Sequence, residues 1–546
     1  MSNRQESWGV GSRGWGVRAF TPHSLLPTLF ILSLLGYLLL LRLFPLIPRY
    51  NQTPLADIRV FTPSLGEGLG YGLLLLLLYG LYGLAYQTIQ TGQSDRNDHA
   101  KAQRRKDKPF FFAPLRLCVK FFNNQPKTVS LPFILLTTAV FALPLLFTYP
   151  INANDVYRYF IRGRITAVYA TSPYSQPPAA FTNDPYLPLA GEWDNATSPY
   201  GPIWELTAAA LTRLAPDNLL MELLLFKLLG LGLHLATAVL IHHILKHQPA
   251  NHRAAATLLW AWNPALLLFF VTDAHNDTLM LFWLTLGILL HPTPHAPRTT
   301  HHALLRHAAA FLPLLLAVLT KPIALLALPF FALASLRQLP TWRQRGVYVG
   351  LTAVFTLLLT WLTFLPFGSL LELGQRLLNE ASDGGGFSPT VLVILVNRAL
   401  GGTLSVATAG RVALFVFGLA AIWLLWRGLN GRSPLPATAD IFLAYTLQAL
   451  NFRIWYTTWP FPFLILDAAQ HPTPTNRYRL RVGFWLLLTA QLSVLIHSHL
   501  RLDVLGGSHL WGHLIAIPFT FLLPFALARQ PKAHAKPQRR KESTES

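Results

Sequence analysis

A polar, aromatic segment rich in acidic residues, 151–204, interrupts a chain that is otherwise strongly apolar. Four carboxylates, Asp155, Asp184, Glu192 and Asp194, lie close together within it. A carboxylate within hydrogen-bond reach of a hydroxyl can accept its proton as the oxygen attacks another molecule. The segment therefore favours an enzyme that works at a bilayer surface over a protein that only resides in lipid.

Three further polar groups follow apolar runs downstream. They are the tip Thr272–Asp277, Lys321 before Pro322, and Arg453 in the stretch NFRIWY. Charged groups at membrane depth are costly unless they face a cavity or a partner, which makes them candidates for function. We expect these groups and Asp155 to surround one cavity. The alternative is the ordinary polarity of separate loops.

The elements that must position these residues are membrane helices. The chain has 546 residues, of which 52% are hydrophobic and only 12% charged, whereas soluble domains carry about 25% charged residues. Apolar runs such as Phe133–Phe147, Leu219–Leu245 and Leu351–Phe364 recur along the chain. Because a spanning helix needs about 20 mainly apolar residues, the sequence predicts an all-α, polytopic integral membrane protein with about 12–14 transmembrane helices.

The net charge of +21 arises from basic clusters beside the apolar runs. Short basic loops are retained in the cytoplasm and favour anionic headgroups, so we expect a lipid bilayer as partner and no nucleic acid. The single cysteine, Cys118, excludes an internal disulfide.

The basic clusters also predict the orientation. With the N-terminus inside, the third span (Leu131–Phe147) delivers segment 151–204 to the outer side. Two helical hairpins then return their polar tips to that same side. Their arms are predicted at Ala254–Val271 with Leu279–Leu290, and at Ala308–Thr320 with Ile323–Leu336.

Short motifs around Asp155 resemble a known family. Asn154-Asp155 after a span, Arg162-Gly-Arg164 and Ser198-Pro-Tyr-Gly-Pro202 resemble the first outer loop of GT-C-fold glycosyltransferases. More narrowly, they are similar to bacterial polyprenol-phosphomannose-dependent α-mannosyltransferases. Asn263-Pro264, His275-Asn-Asp277 and Leu319-Thr-Lys-Pro322 fit the same pattern. The resemblance covers Leu131–Leu336, and the last third of the chain agrees only in general layout.

The resemblance implies a GT-C-like fold with an outer-side active-site loop after the third span. It divides the chain into four parts. These are N-terminal spans and a basic cytoplasmic loop (1–128), a catalytic membrane core (129–340) with its outer loop (150–218), a C-terminal transmembrane region (341–528) and a basic cytoplasmic tail (529–546).

The resemblance also implies the chemistry. A hexose, mannose by the narrower likeness, would pass from a polyprenyl-phosphate donor to a glycolipid or glycan acceptor outside the cell membrane. Asp155 would be the general base, with its pKa raised by desolvation. Cations would stabilise the leaving phosphate; the candidates are Lys321, Arg158, Arg162, Arg164 and Arg453. Candidates for contact with the acceptor or sugar are Asp184, His275, Asn276, Asp277, Tyr200 and Tyr456.

Structural roles compete with these assignments. Asp155 could cap a helix that begins near Val156. Lys321 could extend to the headgroups, and Arg162 and Arg164 could bind lipid phosphate without specificity. The amphipathic stretch Leu370–Ala381, followed by a Gly-rich run, favours either a movable cover or a plain flexible loop.

No cofactor is expected. A divalent ion held by Asp184, Glu192 and Asp194 is the weaker alternative, since hard oxygens suit such ions. A second metal candidate combines four histidines, for which interfacial placement is the simpler interpretation; they are His497, His499, His509 and His513.

A secondary transporter or a flippase for lipid-linked sugars is the rival function, and an assembly scaffold is a third. Many spans and charges within them suit a transporter equally well. The long acidic loop 151–204 has no counterpart downstream, which argues against the repeated halves that transporters often show.

Overall fold

The computed structural model describes residues 22–52, 58–91, 129–292, 301–368, 370–382 and 386–529. Within these ranges the chain is helical, and the only extended pairing is one bridge between Pro45 and Thr148. The predicted basic loop 96–127, the Gly-rich positions 383–385 and most of the basic tail (530–546) lie outside the described residues.

Twenty α-helices occur in the described ranges, and the longest described connection, residues 168–201, joins the fourth helix to the fifth. Their bounds are α1 Pro22–Leu43, α2 Leu65–Thr91, α3 Leu131–Leu146, α4 Asp155–Ala167, α5 Pro202–Leu214, α6 Leu219–Ile244, α7 Ala250–Ala261, α8 Pro264–Leu267, α9 Asp277–Leu290, α10 His301–Thr320, α11 Leu328–Gln338, α12 Trp342–Phe364, α13 Leu370–Ser382, α14 Pro389–Ala399, α15 Val406–Leu429, α16 Pro434–Gln448, α17 Phe461–Gln470, α18 Pro474–Leu495, α19 His509–Ile517 and α20 Leu523–Leu527. Single-turn 3₁₀ or π segments join several of them, among them Leu187–Trp193, Leu268–Thr272, Pro322–Leu326 and Ile454–Thr458.

The protein is a polytopic membrane protein. Seven described helices are long and apolar enough to cross a bilayer, or eight if α7 and the bent segment Pro264–Thr272 count as one span. The prediction of about 12–14 spans is higher, because several predicted spans are apolar helices of 10–17 residues, such as α3 and α9. A 14-residue helix is about 21 Å long, less than the hydrocarbon thickness of about 30 Å. One end of such a helix therefore lies below the bilayer surface unless the lipid thins around it.

The first predicted hairpin is present, and its first arm is bent. The axis turns by 44° between α7 and Pro264–Thr272. Asn263 explains the bend locally: its Oδ1 accepts hydrogen bonds from the backbone N–H groups of Ala265 and Leu266 and so caps the helix that Pro264 begins. The second hairpin is α10 followed by Pro322–Leu326 and α11. The two polar tips of these hairpins meet beside α4.

Two glycines allow the outer segment to pack closely. A Cβ on Gly163 would lie 2.3 Å from Thr212 Oγ1 and 2.9 Å from Ala208 O, so the glycine permits α4 to pack against α5. A Cβ on Gly201 would lie 2.1 Å from Leu319 O. Close packing therefore accounts for the glycine in each of the Arg-Gly-Arg and Ser-Pro-Tyr-Gly-Pro motifs.

Candidate active site

A cavity of about 790 Å³ lies where segment 151–204, the second hairpin tip and residues 448–459 meet. Seven of the residues selected from the sequence line it: Asp155, Arg158, Arg162, Tyr200, Lys321, Arg453 and Tyr456. Asp155, Lys321 and Arg453 therefore converge on one cavity as expected, whereas no residue of the tip Thr272–Asp277 lines it. The amphipathic helix α13 contributes Leu377 and Leu378 to the same wall.

Asp155 is the first residue of α4, and its side chain is only 4% exposed although it lines the cavity. The capping interpretation is wrong, because Asn154 occupies the cap position and its side chain makes no capping hydrogen bond. An acidic residue in the first turn is stabilised by the helix dipole. The carboxylate is thus fixed by the helix while it remains next to the cavity.

Basic side chains surround the Asp155 carboxylate. Arg158 Nη1 lies 2.7 Å from Oδ1, and His275 Nδ1 lies 3.8 Å from Oδ2. Burial alone would raise the pKa of Asp155, but Arg158, His275, Lys321 and Arg453 together hold it below its usual value. The expectation of a raised pKa is therefore wrong. Asp155 is ionised across the neutral range, which is the state that a proton acceptor requires.

The tip His275–Asp277 lies directly behind the cavity wall. Asp277 is fully buried and bonds Lys321 Nζ at 2.8 Å, and Trp459 Nε1 donates to its Oδ1. His275 Nδ1 is 3.5 Å from Asp277 Oδ2, and its ring lies against Trp455, with the ring centroids 4.2 Å apart and the ring planes tilted by 34°. The charge of Lys321 is therefore compensated by Asp277. Direct contact of His275, Asn276 or Asp277 with a sugar stays a prediction.

Other cations at the cavity lack such compensation. Among the described residues, no carboxylate pairs within 4 Å with Arg453, Arg162 or Arg411. Arg162 Nη2 donates to Thr197 O at 3.4 Å, and its guanidinium lies 5.5 Å from the Tyr200 ring centroid. These three arginines give the cavity a positive charge suited to an anionic ligand.

Besides the tip His275–Asp277, two further selected residues, Arg164 and Asp184, do not line the cavity. Arg164 Nε bonds Asp184 Oδ2 at 2.8 Å, and Tyr169 donates to the same oxygen at 2.8 Å. Both members of the pair are buried. This ion pair fastens α4 to the loop that follows it, and roles for Arg164 and Asp184 in ligand binding remain untested predictions.

No group of three or more His, Cys, Asp or Glu side chains suited to a metal ion occurs in the described part of the chain. Glu192 Oε1 lies 3.5 Å from Arg158, and Asp194 accepts a hydrogen bond from Asn195. The rings of His497 and His513 are 5.4 Å apart, but His499 is directed elsewhere and bonds Thr62 and Asp503.

Several contributors were not selected from the sequence. Arg411, which lies within an apolar run, and the aromatic residues Trp455 and Trp459 all line the cavity. Lys227, also inside an apolar run, contacts three backbone carbonyls. A lone charge in a spanning segment was the signal that could have identified Lys227 and Arg411.

Comparisons with known proteins find similarity to mannosyltransferases. Residues 110–337 match the MptA_B family, described as the N-terminal domain of alpha-(1->6)-mannopyranosyltransferase. Alpha-(1->6)-mannopyranosyltransferase A of Corynebacterium glutamicum is 22% identical over 62% of this chain and 72% of its own length. The protein of that name from Mycobacterium tuberculosis is 27% identical over 59% of this chain and 63% of its own length.

A probable alpha-(1->6)-mannopyranosyltransferase of Mycolicibacterium smegmatis is 26% identical, again over 59% of this chain and 63% of its own length. No solved structure matches the chain. The family match coincides with the part of the chain in which the motif resemblance was found. Residues 110–337, the part that carries Asp155, the His275–Asp277 tip and Lys321, are similar to the N-terminal domain of this mannosyltransferase family.

Proposed function

We propose that the protein transfers a mannosyl residue from a polyprenyl-phosphate donor to a glycolipid or glycan acceptor on the extracytoplasmic side of the membrane. The observation that carries the proposal is Asp155, an ionised carboxylate at a cavity that also holds uncompensated arginines. The names of the relatives support mannose as the sugar.

In the proposed reaction an acceptor hydroxyl forms a bond to the anomeric carbon while the bond from that carbon to the phosphate oxygen breaks. Asp155 accepts the hydroxyl proton, and the lipid phosphate leaves with the electron pair. Direct displacement inverts the anomeric centre. An α-linked product, as the relatives' names state, would then require a β-linked donor.

The leaving phosphate gains negative charge in the transition state, so cations near it lower the barrier. Arg453 and Arg411 suit this role better than Lys321, because Asp277 lies 2.8 Å from the Lys321 ammonium. The cavity also has an apolar wall that suits the donor's lipid chain; it includes Leu325, Leu326, Leu377, Leu378 and Leu414.

The helix ends support the extracytoplasmic side. Arg427 lies at the far end of α15 from Arg411, and Arg306 and Arg337 lie at the ends of α10 and α11 distant from Lys321. Basic residues concentrate at cytoplasmic ends of spans. The cavity therefore opens at the opposite ends of these helices.

The test is transfer of radiolabelled mannose from a polyprenyl-phosphate donor to membrane glycolipid by the purified chain in detergent. We expect Arg453→Ala and Arg411→Ala to raise the KM for donor about tenfold or more, with a smaller change for acceptor. Arg427→Ala, on the same helix as Arg411 but about 24 Å away along its axis, is the matched control. Absence of transfer, together with donor movement across vesicles that does not need Asp155, would favour the flippase instead.

A further inference from the structure

Lys227 is a fully buried charge in the middle of the apolar helix α6. Its Nζ donates to Thr148 O at 2.7 Å, Thr272 O at 2.5 Å and Leu145 O at 3.4 Å. All three ammonium protons can therefore be satisfied by backbone carbonyls. Two of these carbonyls precede segment 151–204, and the third ends the first arm of the bent hairpin.

Asp273 makes the reciprocal set of contacts from the hairpin side. It is fully buried, and its Oδ1 accepts from the backbone N–H of Ile151 at 2.9 Å and of Asn152 at 3.4 Å. Its Oδ2 accepts from Asn152 Nδ2 at 2.9 Å. The anion on the hairpin therefore holds the backbone just before Asp155, whereas the cation on α6 holds both segments together.

The two charges act on the same junction. A buried charge is costly unless charge and hydrogen bonds compensate it, and here backbone dipoles and the opposite charge of the other residue do so. The hairpin tip also needs support, because Ala274 has a φ of 54°, a region that non-glycine residues seldom occupy. Such a conformation persists where surrounding contacts impose it.

The sequence separations connect this junction to the proposed chemistry. Asp155 follows Asn152 by three residues, and His275 follows Asp273 by two. His275 Nδ1 lies 3.8 Å from Asp155 Oδ2, so a shift of either segment changes the surroundings of the carboxylate. Neither Lys227 nor Asp273 lines the cavity, so neither can touch a ligand there.

We propose that Lys227 and Asp273 are positioning residues that set the distance between Asp155 and the His275–Asp277 tip. This inference rests on the proposed function. It predicts a loss in kcat that is larger than the change in KM, because Ile151 and Asn152 are the only cavity-lining residues among those that Lys227 and Asp273 bond. Misplacement of a catalytic group by about 1 Å can cost about 100-fold in rate.

The primary test is Asp273→Asn in the full chain, measured as kcat and KM for mannosyl transfer. This variant keeps the side-chain size and one acceptor oxygen, but its Nδ2 opposes Asn152 Nδ2. We expect kcat to fall at least tenfold and KM for donor to change less than threefold. Thr237→Val is the matched control, because Thr237 is buried on α6 about 15 Å along the helix from Lys227 and bonds only within its own helix.

The double variant Lys227→Met with Asp273→Asn separates positioning from charge balance. Each single variant leaves one buried charge without its opposite, whereas the double variant has neither charge. The double variant should therefore be more thermally stable than either single variant. A kcat that stays at least tenfold low in the stable double variant supports positioning, whereas a kcat equal to that of the wild type overturns it.

A structure of Asp273→Asn supplies a readout that does not depend on activity. We expect the Asp155–His275 separation to increase, and an unchanged separation would overturn the inference. Failure of the proposed function is distinguished at the start, because it would appear as absence of mannosyl transfer by the wild-type chain itself.

Discussion

Asp155→Asn is the most direct test of the base assignment. The substitution keeps the size of the side chain and an oxygen that can accept a hydrogen bond from Arg158, but it cannot take up a proton at neutral pH. Loss of a general base lowers the rate about 10²–10⁴-fold. At about 1.36 kcal/mol for each factor of ten, the barrier rises by about 2.7–5.4 kcal/mol.

The expected effect on folding is smaller. The main contact at risk is the 2.7 Å bond to Arg158, whose side chain is 17% exposed. A hydrogen bond with a charged partner contributes about 1.5–3 kcal/mol, and the asparagine oxygen retains part of it. Arg158 also keeps Asn154 Oδ1 at 3.4 Å and the Trp193 ring at 4.4 Å. The variant should therefore fold while losing transfer.

The assay is kcat for mannosyl transfer, with donor binding measured separately by competition. Asp217→Asn is the matched control: it also removes a carboxylate paired with an arginine of α4, but Asp217 is 86% exposed and outside the cavity. We expect the control to stay within about twofold of wild type, since exposed ion pairs contribute little. An Asp155→Asn protein with more than one tenth of the wild-type kcat would refute the base role.

Three further predictions follow from contacts around this site. Arg158→Gln should raise the pKa of Asp155, because it removes the nearest cation. Since the base acts when ionised, the acid side of the pH profile of kcat/KM should move to higher pH. An unchanged pH profile would contradict this prediction. Gly201→Ala should destabilise the protein by about 1–3 kcal/mol, because its Cβ would lie 2.1 Å from Leu319 O; an unchanged Tm in detergent would contradict the close approach. Burial raises the pKa of Glu205 from 4.5 to about 7, so the folded protein holds a proton there that the unfolded chain releases. The free energy of unfolding should therefore fall as pH rises through this range, by up to about 1.4 kcal/mol per pH unit. Glu205→Gln should lack this pH dependence in thermal melts at pH 5 and 7.5, and an equal dependence in the two proteins would count against the prediction.

The apolar periodicity of the chain was sufficient to predict its class. Runs of Leu and Phe with few charges can be stable only in a bilayer or a large core, and short basic loops indicate membrane topology. The hairpin tips were visible for the same reason, since Thr272–Asp277 and Lys321 interrupt apolar runs at a level where charge is costly. The number of helices that cross the whole membrane could not be predicted, because helices such as α9 are too short to be assigned by length alone.

The motif resemblance, rather than composition, selected Asp155, and the family match extends over that same part of the chain. Burial was also foreseeable, because the residue follows a span. The direction in which its pKa shifts could not be foreseen, because desolvation raises the pKa and nearby cations lower it. Which of them prevails depends on Arg158, three residues further along α4, and on residues far from Asp155 in sequence, such as Lys321 and Arg453, which come close only in the folded protein.

The sequence alone determined that polar groups must meet below or beside the membrane surface, because isolated charges there are too costly to remain unpartnered. Only the tertiary structure determined which charged residues form ion pairs with each other. It pairs Lys321 with Asp277 and Arg164 with Asp184, and it leaves Arg453 and Arg411 available at the cavity. Pairing depends on separations of a few ångströms between segments that lie 44 and 20 residues apart in sequence. Residue type and spacing along one helix do not specify such separations.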